Sequence, residues 1–150
     1  MRLLIQRVTY ARCHIGGSVY SEIGKGFVVL VGVCMDETQE DIDWLAKKLV
    51  QMRIFDDAEG VMNLSVQDVE GEVMIVSQFT LHAMTKKGNR PSWIKAAPEA
   101  ISKPLYEQFV MKVEELLGRK VATGSFGADM QIELTNDGPV TIWIDSKNRE

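Results

Sequence analysis

The sequence predicts one α/β domain whose elements run in the order ββ-βα-βα-βββ. Three observations lead there. Two apolar runs, Phe27–Val33 and Val73–Val76, are rich in β-branched residues and read as strands buried on both faces. Two stretches, over residues 36–55 and 102–117, carry apolar side chains at helical spacing. The 150 residues form most simply a single domain spanning 1–150. Such a chain buries roughly two thirds of its unfolded surface and needs no disulfide or metal staple. Both helices are expected on one side of a mixed sheet.

Leu3 to Ala11 alternates weakly and reads as a strand, with Ser18–Ile23 as its partner after Gly16-Gly17. Gly24-Lys25-Gly26 turns into the first buried strand. The first helix is expected from Asp36 to Phe55. Thr38 and Asp41 make a capping-box-like start, and Ile42, Leu45, Leu49 and Met52 form the apolar face. Asp56 to Gly60 reads as a turn. The second buried strand runs from Glu72 to Leu81, and a basic loop continues to Pro98. Ser102 is the expected N-cap of the second helix, with Pro104 in its first turn and Gly118 as its stop. Leu105, Phe109, Val113 and Leu116 form its stripe. Lys120–Thr123, Asp129–Thr135 and Val140–Asp145 read as three closing strands.

Composition narrows the function classes. Hydrophobic residues make up 45% and charged residues 25%, as in soluble globular proteins. No apolar run reaches membrane-spanning length, and Arg2, Gln6 and Arg7 interrupt the N-terminal stretch, so no signal peptide and a cytoplasmic location are expected. Cys13 and Cys34 lack metal-like spacing and read as reduced thiols, Cys34 in the core. A net charge of −4 does not advertise nucleic-acid binding. Yet residues 82–98 hold Lys86, Lys87, Arg90 and Lys95 with no acid, and the first twenty hold Arg2, Arg7 and Arg12 with none. These are either solvated loop charges or a local phosphate-contact patch.

No nucleophile elbow, P-loop or dinucleotide fingerprint is present, and Gly124-Ser125-Phe126-Gly127 reads as a turn. Cys13 and His14 are adjacent, so on a strand they face opposite ways, and no metal site is expected. His82 is either a general base near Thr80 or, as is commoner, a surface histidine. Two peptides stand out. Ser77-Gln78-Phe79-Thr80 closes a buried strand, and on a regular strand Gln78, Thr80 and His82 share one face. The alternative is an ordinary strand end bonded to local backbone. Gly138-Pro139 opens Val140-Thr141 and belongs at a strand start, an edge or a bulge. It is either a hairpin turn after Asn136-Asp137 or a stiff probe without side chain at the glycine, and its X-Pro bond is open to cis. Neither peptide contains an ionisable residue. A site built from them works with hydroxyls, amides and backbone.

Taken together, six segments resemble the D-aminoacyl-tRNA deacylases of the bacterial and eukaryotic type. They are Met52-Arg53-Ile54-Phe55, Met62-Asn63-Leu64-Ser65-Val66, Ser77-Gln78-Phe79-Thr80-Leu81, Lys87-Gly88-Asn89-Arg90-Pro91-Ser92, Phe126-Gly127-Ala128-Asp129-Met130 and Asn136-Asp137-Gly138-Pro139-Val140-Thr141. They fall in that family's order over nearly the whole chain. Met52, His82 and Trp93 depart from its commoner residues, outside the two peptides. The resemblance implies a three-layer β/β/α protomer, a homodimer, and a pocket at the dimer interface. Ser77, Gln78, Phe79 and Thr80 of one subunit would form its catalytic wall. Gly138-Pro139, in cis, with Val140 and Thr141, would reach in from the other subunit and screen chirality, held by Arg7. The implied reaction is hydrolysis of the ester of D-aminoacyl-tRNA, with glycyl-tRNA as a possible second substrate and no cofactor or metal. The partner is the aminoacyl-tRNA 3′ end, with Lys86, Lys87 and Arg90 as guesses for tRNA contact and no membrane. Backbone N–H groups can stabilise the tetrahedral oxyanion. Thr80 as covalent nucleophile ranks lower, because no base is evident beside it. Two other readings stand beside this one: a dimeric RNA-binding module without turnover, and a general small-ester hydrolase using Ser77 or Thr80.

Overall fold

A computed structural model describes residues 1–150. The chain opens with β1 (Arg2–Ile15), β2 (Ser18–Ile23) and β3 (Gly26–Gly32). β1 is antiparallel to β3 along its first half, from Arg2 opposite Gly32 to Val8 opposite Gly26. Its second half pairs with β2, from Ala11 opposite Ile23 to Ile15 opposite Ser18. Helix α1 (Gln39–Gln51) and the short hairpin β4 (Phe55–Asp56) and β5 (Met62–Leu64) follow. The chain then returns as β6 (Glu72–Ser77), parallel to β3. Helix α2 (Glu99–Leu117) leads to β7 (Ala122–Thr123), parallel to β6. The last strand, β8 (Gln131–Asp145), lies antiparallel along β1. The result is a mixed α/β domain with one six-stranded sheet, a two-stranded sheet and two helices.

The uninterrupted apolar runs are explained by burial on both sides. Phe27, Val29, Val31, Val73 and Ile75 join Ile42, Leu45, Leu49, Phe109 and Val113 of the helices in the main core. Their alternate neighbours Val28, Met74 and Val76 join Val8, Ala11, Cys13 and Ile23 in a second core. Alternation along β3 and β6 therefore feeds two cores instead of one core and solvent. Each fully buried aliphatic side chain contributes about 1.5–3 kcal/mol relative to exposure.

Several sequence expectations are corrected. β1 extends past Ala11 to Ile15 because β2 and β8 together pair its second half. α1 is shorter than Asp36–Phe55: Thr38 starts it, with its N–H and hydroxyl both donating to the Asp41 carboxylate at 2.8 and 2.9 Å. Beyond it, Phe55-Asp56 pairs with Met62-Leu64, so the expected turn is the tip of a hairpin. α2 begins at Glu99, not Ser102. The Pro98 carbonyl accepts the N–H groups of Ile101 and Ser102, both at 2.9 Å. The Ser102 hydroxyl bonds back to the same carbonyl at 3.1 Å, inside the helix. Pro104 consequently lies in the helix interior, on its exposed side. The buried face of α2 is Tyr106, Phe109, Val113 and Leu117, so Leu105 and Leu116 lie at the margin. The strand expected over Lys120–Thr123 is only Ala122-Thr123. Asp129–Thr135 and Val140–Asp145 are not two strands but one, β8, which leaves no hairpin at Asn136-Asp137.

Candidate active site

The polar end of β6 does not continue as a strand. β6 stops at Ser77, and Phe79–His82 forms a single 3-10 turn. The Gln78 N–H still donates to Val31 of β3 at 2.7 Å; the next internal bond, Leu81 N–H to Gln78 carbonyl at 3.3 Å, already belongs to the turn. The turn lies against Gly32 at the end of β3, where a Cβ would stand 3.0 Å from His82 and Leu81 and 3.1 Å from the Gln78 carbonyl. Arg2 of β1 donates to the Leu81 carbonyl at 2.9 Å and pins the turn from the other side. The expected shared face of Gln78, Thr80 and His82 is thereby overturned, because a 3-10 turn does not alternate. Gln78 and Thr80 still meet: Gln78 Nε2 donates to Thr80 Oγ1 at 2.6 Å. Phe79 stands 55% exposed, edge-on to Trp93 with ring centroids 5.5 Å apart.

Val76, Ser77, Gln78 and Phe79 line a cavity of about 290 Å³ together with Phe126–Met130 and Ile132. The Gly-containing turn after β7 is therefore a pocket wall. Gly124–Gly127 reads from the sequence as a turn, while Phe126–Met130 stands out there only as one of the six segments that carry the family resemblance.

Gly138-Pro139 lies elsewhere in the protomer, in the middle of β8. Thr141 pairs with Gln6 and Asn136 with Val8, so Asp137 to Val140 have only Arg7 opposite them and bulge from the ladder. Proline fits there because a bulge leaves its missing N–H without a ladder partner to disappoint. The Gly138-Pro139 peptide is cis, Gly138 has φ +117°, and both residues are exposed.

The bulge is held from both sides. Asn136 Nδ2 donates to the Arg7 and Val140 carbonyls, both at 3.0 Å, and Thr141 donates to Asn136 Oδ1 at 3.1 Å. Arg7, 6% exposed, reaches the Asp137 carboxylate at 3.1 Å and its carbonyl at 3.4 Å through Nε. Its Nη1 donates to the Ile54 carbonyl at 2.7 Å and Asp56 at 3.3 Å. One guanidinium thus ties the bulge to β4. The role of Asn136 escaped the residue-level reading, since only the register reveals a bulge.

Lys86, Lys87 and Arg90 stand on an exposed loop whose base is closed by paired bonds between Met84 and Ser92 at 2.9 and 3.0 Å. None of the three makes an ion pair. The protomer therefore brings Ser77, Gln78 and Phe79 together with the Phe126 turn, with Thr80 outside that lining but bonded to Gln78, and Arg7 together with Gly138-Pro139. It does not bring the two peptides into one cavity.

His82 corrects both expectations made for it. It is buried at 3% exposure, not on the surface, and it lines a different cavity from Ser77–Phe79, beside Arg2, Cys34 and Asp36. Burial, with Arg2 nearby, pushes its pKa below the ordinary value, against a nearby Gly32 backbone acceptor that raises it. It makes no hydrogen bond to Thr80, whose hydroxyl is bonded by Gln78. Cys34 is half-buried rather than core. Burial and its hydrogen bonds to Glu37 and Asp36 push its pKa up to about 12.

A D-Tyr-tRNA(Tyr) deacylase family model matches residues 4–145. The chain belongs to the D-aminoacyl-tRNA deacylase family. It is 57% identical to the D-aminoacyl-tRNA deacylase of Bacteroides thetaiotaomicron and 58% identical to that of Flavobacterium johnsoniae, over the whole of each chain. Among solved structures it resembles one described as c-Myc DNA unwinding element binding protein, with a TM-score of 0.92 and 36% identity over 97% of this chain and 98% of the other. A probable eukaryotic D-amino acid tRNA deacylase shares the fold at a TM-score of 0.83 and 19% identity, over 95% and 97% of the two chains. As a member of the deacylase family the protein is a hydrolase of the aminoacyl-tRNA ester bond.

Proposed function

We propose that this protein proofreads chirality on charged tRNA, releasing D-amino acids while sparing L-esters, at a site shared between two copies of the chain. The observation that carries this reading is the Arg7-clamped Gly138-Pro139 bulge, exposed and outside the cavity lined by Ser77, Gln78 and Phe79. An exposed backbone probe outside that cavity suits insertion into the cavity of a second copy. β8 supports the same reading: it pairs only with β1, and a fifteen-residue strand with a free edge calls for cover.

In the proposed pocket the substrate ester lies against Ser77–Thr80. Backbone N–H groups at the opening of the Phe79–His82 turn stabilise the tetrahedral oxyanion, and the neighbouring ribose hydroxyl orients water. Thr80 positions the ester and is not acylated, since its hydroxyl is engaged by Gln78 and no base stands beside it. Gly138-Pro139, flanked by Val140 and Thr141, rejects an L side chain by steric exclusion. Glycine has nothing to exclude, so glycyl-tRNA is a second substrate. Lys86, Lys87 and Arg90 meet tRNA phosphates. No helix is long and apolar enough to cross a membrane, and the proposed place of work is the cytoplasm, with tRNA.

The test is hydrolysis of matched D- and L-tyrosyl-tRNA by the purified protein. Rapid release of D-tyrosine with the L-ester intact is expected. Equal turnover of both would sink the chirality claim, tRNA binding without turnover would favour a binding module, and turnover of simple esters without tRNA would favour a general esterase.

A further inference from the structure

A second group of reactive side chains lies apart from the pocket just described. Cys34 and Glu37, in the segment between β3 and α1, converge on His82 at the end of the 3-10 turn. Their ligand atoms, one sulfur, one carboxylate oxygen and one ring nitrogen, all lie within 4.8 Å of one another. In a tetrahedral site with zinc bond lengths of 2.0–2.3 Å, ligand atoms stand ~3.3–3.8 Å apart, so the widest pair closes by up to roughly 1 Å while Cys34 Sγ and Glu37 Oε1, now 2.8 Å apart, open slightly.

Two features of this group are unexplained by the hydrogen bonds around it. His82 is buried at 3% exposure, and its Nε2 has no hydrogen-bond partner. A buried ring nitrogen left unpaired costs free energy, and such atoms are rare. Cys34 Sγ faces two carboxylate oxygens, Glu37 Oε1 at 2.8 Å and Asp36 Oδ1 at 3.0 Å, while a thiol has one proton to share. Acceptors outnumber donors at the sulfur. Glu37 is otherwise well partnered: Oε1 accepts from the buried Met1 amino group and from the Cys34 N–H at 3.4 Å, Oε2 accepts from Ser146 Oγ at 3.3 Å with Lys147 Nζ at 4.0 Å, and Arg2 lines the adjoining cavity. The Cys34 S–H takes a further place on Oε1, and that place is the one a cation takes over when the thiol proton leaves.

We propose that Cys34, Glu37 and His82 bind a divalent cation of the zinc class. Thiolate with imidazole selects a borderline or soft ion over Mg²⁺ or Ca²⁺. Binding replaces the Cys34 S–H proton, released to solvent, with the metal–sulfur bond. Asp36 or a water from the adjoining cavity, which Cys34, Asp36 and His82 line together, completes four-coordination. The ion is structural. It ties the segment after β3 to the turn that carries Phe79 and Thr80, through residues that do not line the Ser77–Phe79 cavity.

The test uses the full chain, stripped with chelator and titrated with Co²⁺ and with Zn²⁺ alone. Expected are a thiolate-to-cobalt charge-transfer band saturating at one equivalent, its loss on adding Zn²⁺, and a rise in thermal midpoint with Zn²⁺ but not with Mg²⁺. Cys34→Ser should abolish the band, and His82→Gln should weaken Zn²⁺ binding by more than about tenfold. The wild-type cobalt spectrum needs no variant to fold: no charge-transfer band at saturating Co²⁺ overturns the proposal. A band that survives in folded Cys34→Ser overturns it equally, by assigning the sulfur to Cys13.

Discussion

At the scale of single residues, Arg7 carries the most. Its Nε and Nη1 serve the Asp137 carboxylate and carbonyl, the Ile54 carbonyl and Asp56 from a nearly fully buried position. A lysine ammonium cannot reproduce that planar fork. Arg7→Lys should therefore lower kcat/KM for D-tyrosyl-tRNA by at least about tenfold and cost about 1.5–3 kcal/mol in denaturant unfolding, the worth of a lost hydrogen bond to a charged group. Thr80 is the opposite case. If backbone donors and the substrate's own hydroxyl do the chemistry, Thr80→Ala should keep kcat within about tenfold of wild type. Complete loss in single-turnover assays, with folding and tRNA binding intact, would restore Thr80 as nucleophile. The sequence identified both residues as candidates, but Arg7 only through family resemblance. Its hydrogen-bond partners lie 47 to 130 positions away, beyond the reach of any local pattern.

At the scale of elements, the 3-10 turn is set by its neighbours more than by its own residues. Gly32 permits the close approach, and an added Cβ there would press on His82, Leu81 and Gln78. Gly32→Ala should shift the turn and reduce kcat, with a smaller loss of thermal stability; unchanged kinetics would show that the turn tolerates displacement. The start of α1 predicts an acid response. Burial alone would raise the Asp41 pKa, but the bonds from Lys147 and from the Thr38 N–H outweigh it and leave it well below the usual carboxylate range. A depressed folded pKa means that the stabilisation is present above about pH 4, the unfolded value, and is lost as pH falls below it. His82, with a folded pKa also depressed, adds a loss that begins below about pH 6.5. Asp41→Asn should cost about 2 kcal/mol at pH 7 and flatten the stability curve below pH 4. The same slope in variant and wild type would remove Asp41 from the account.

At the scale of the whole molecule, the proposed site needs two chains, and this is testable by complementation. A variant damaged at Gly138-Pro139 and one damaged at Gln78 should each be inactive alone. Unfolded together and refolded, mixed dimers would hold one site with both wild-type halves. Roughly a quarter of wild-type activity should return, from half the dimers with one of two sites intact. No recovery, with dimers formed, would place both peptides in one protomer's site.

The sequence by itself determined the single α/β domain, both buried strands, both helices, the Thr38-Asp41 helix start and the two peptides of interest. These follow from local apolar period, caps and composition, which act within a few residues. Only the tertiary structure decided that β6 ends at Ser77, that His82 turns inward, and that Asn136 to Thr141 form a bulge in one continuous strand. A bulge exists only relative to a partner's register, and β1 supplies that register from more than a hundred positions away. The tertiary fold likewise decided that the polar Ser77–Thr80 segment curls against Gly32, because the space beside a glycine belongs to whatever packs there.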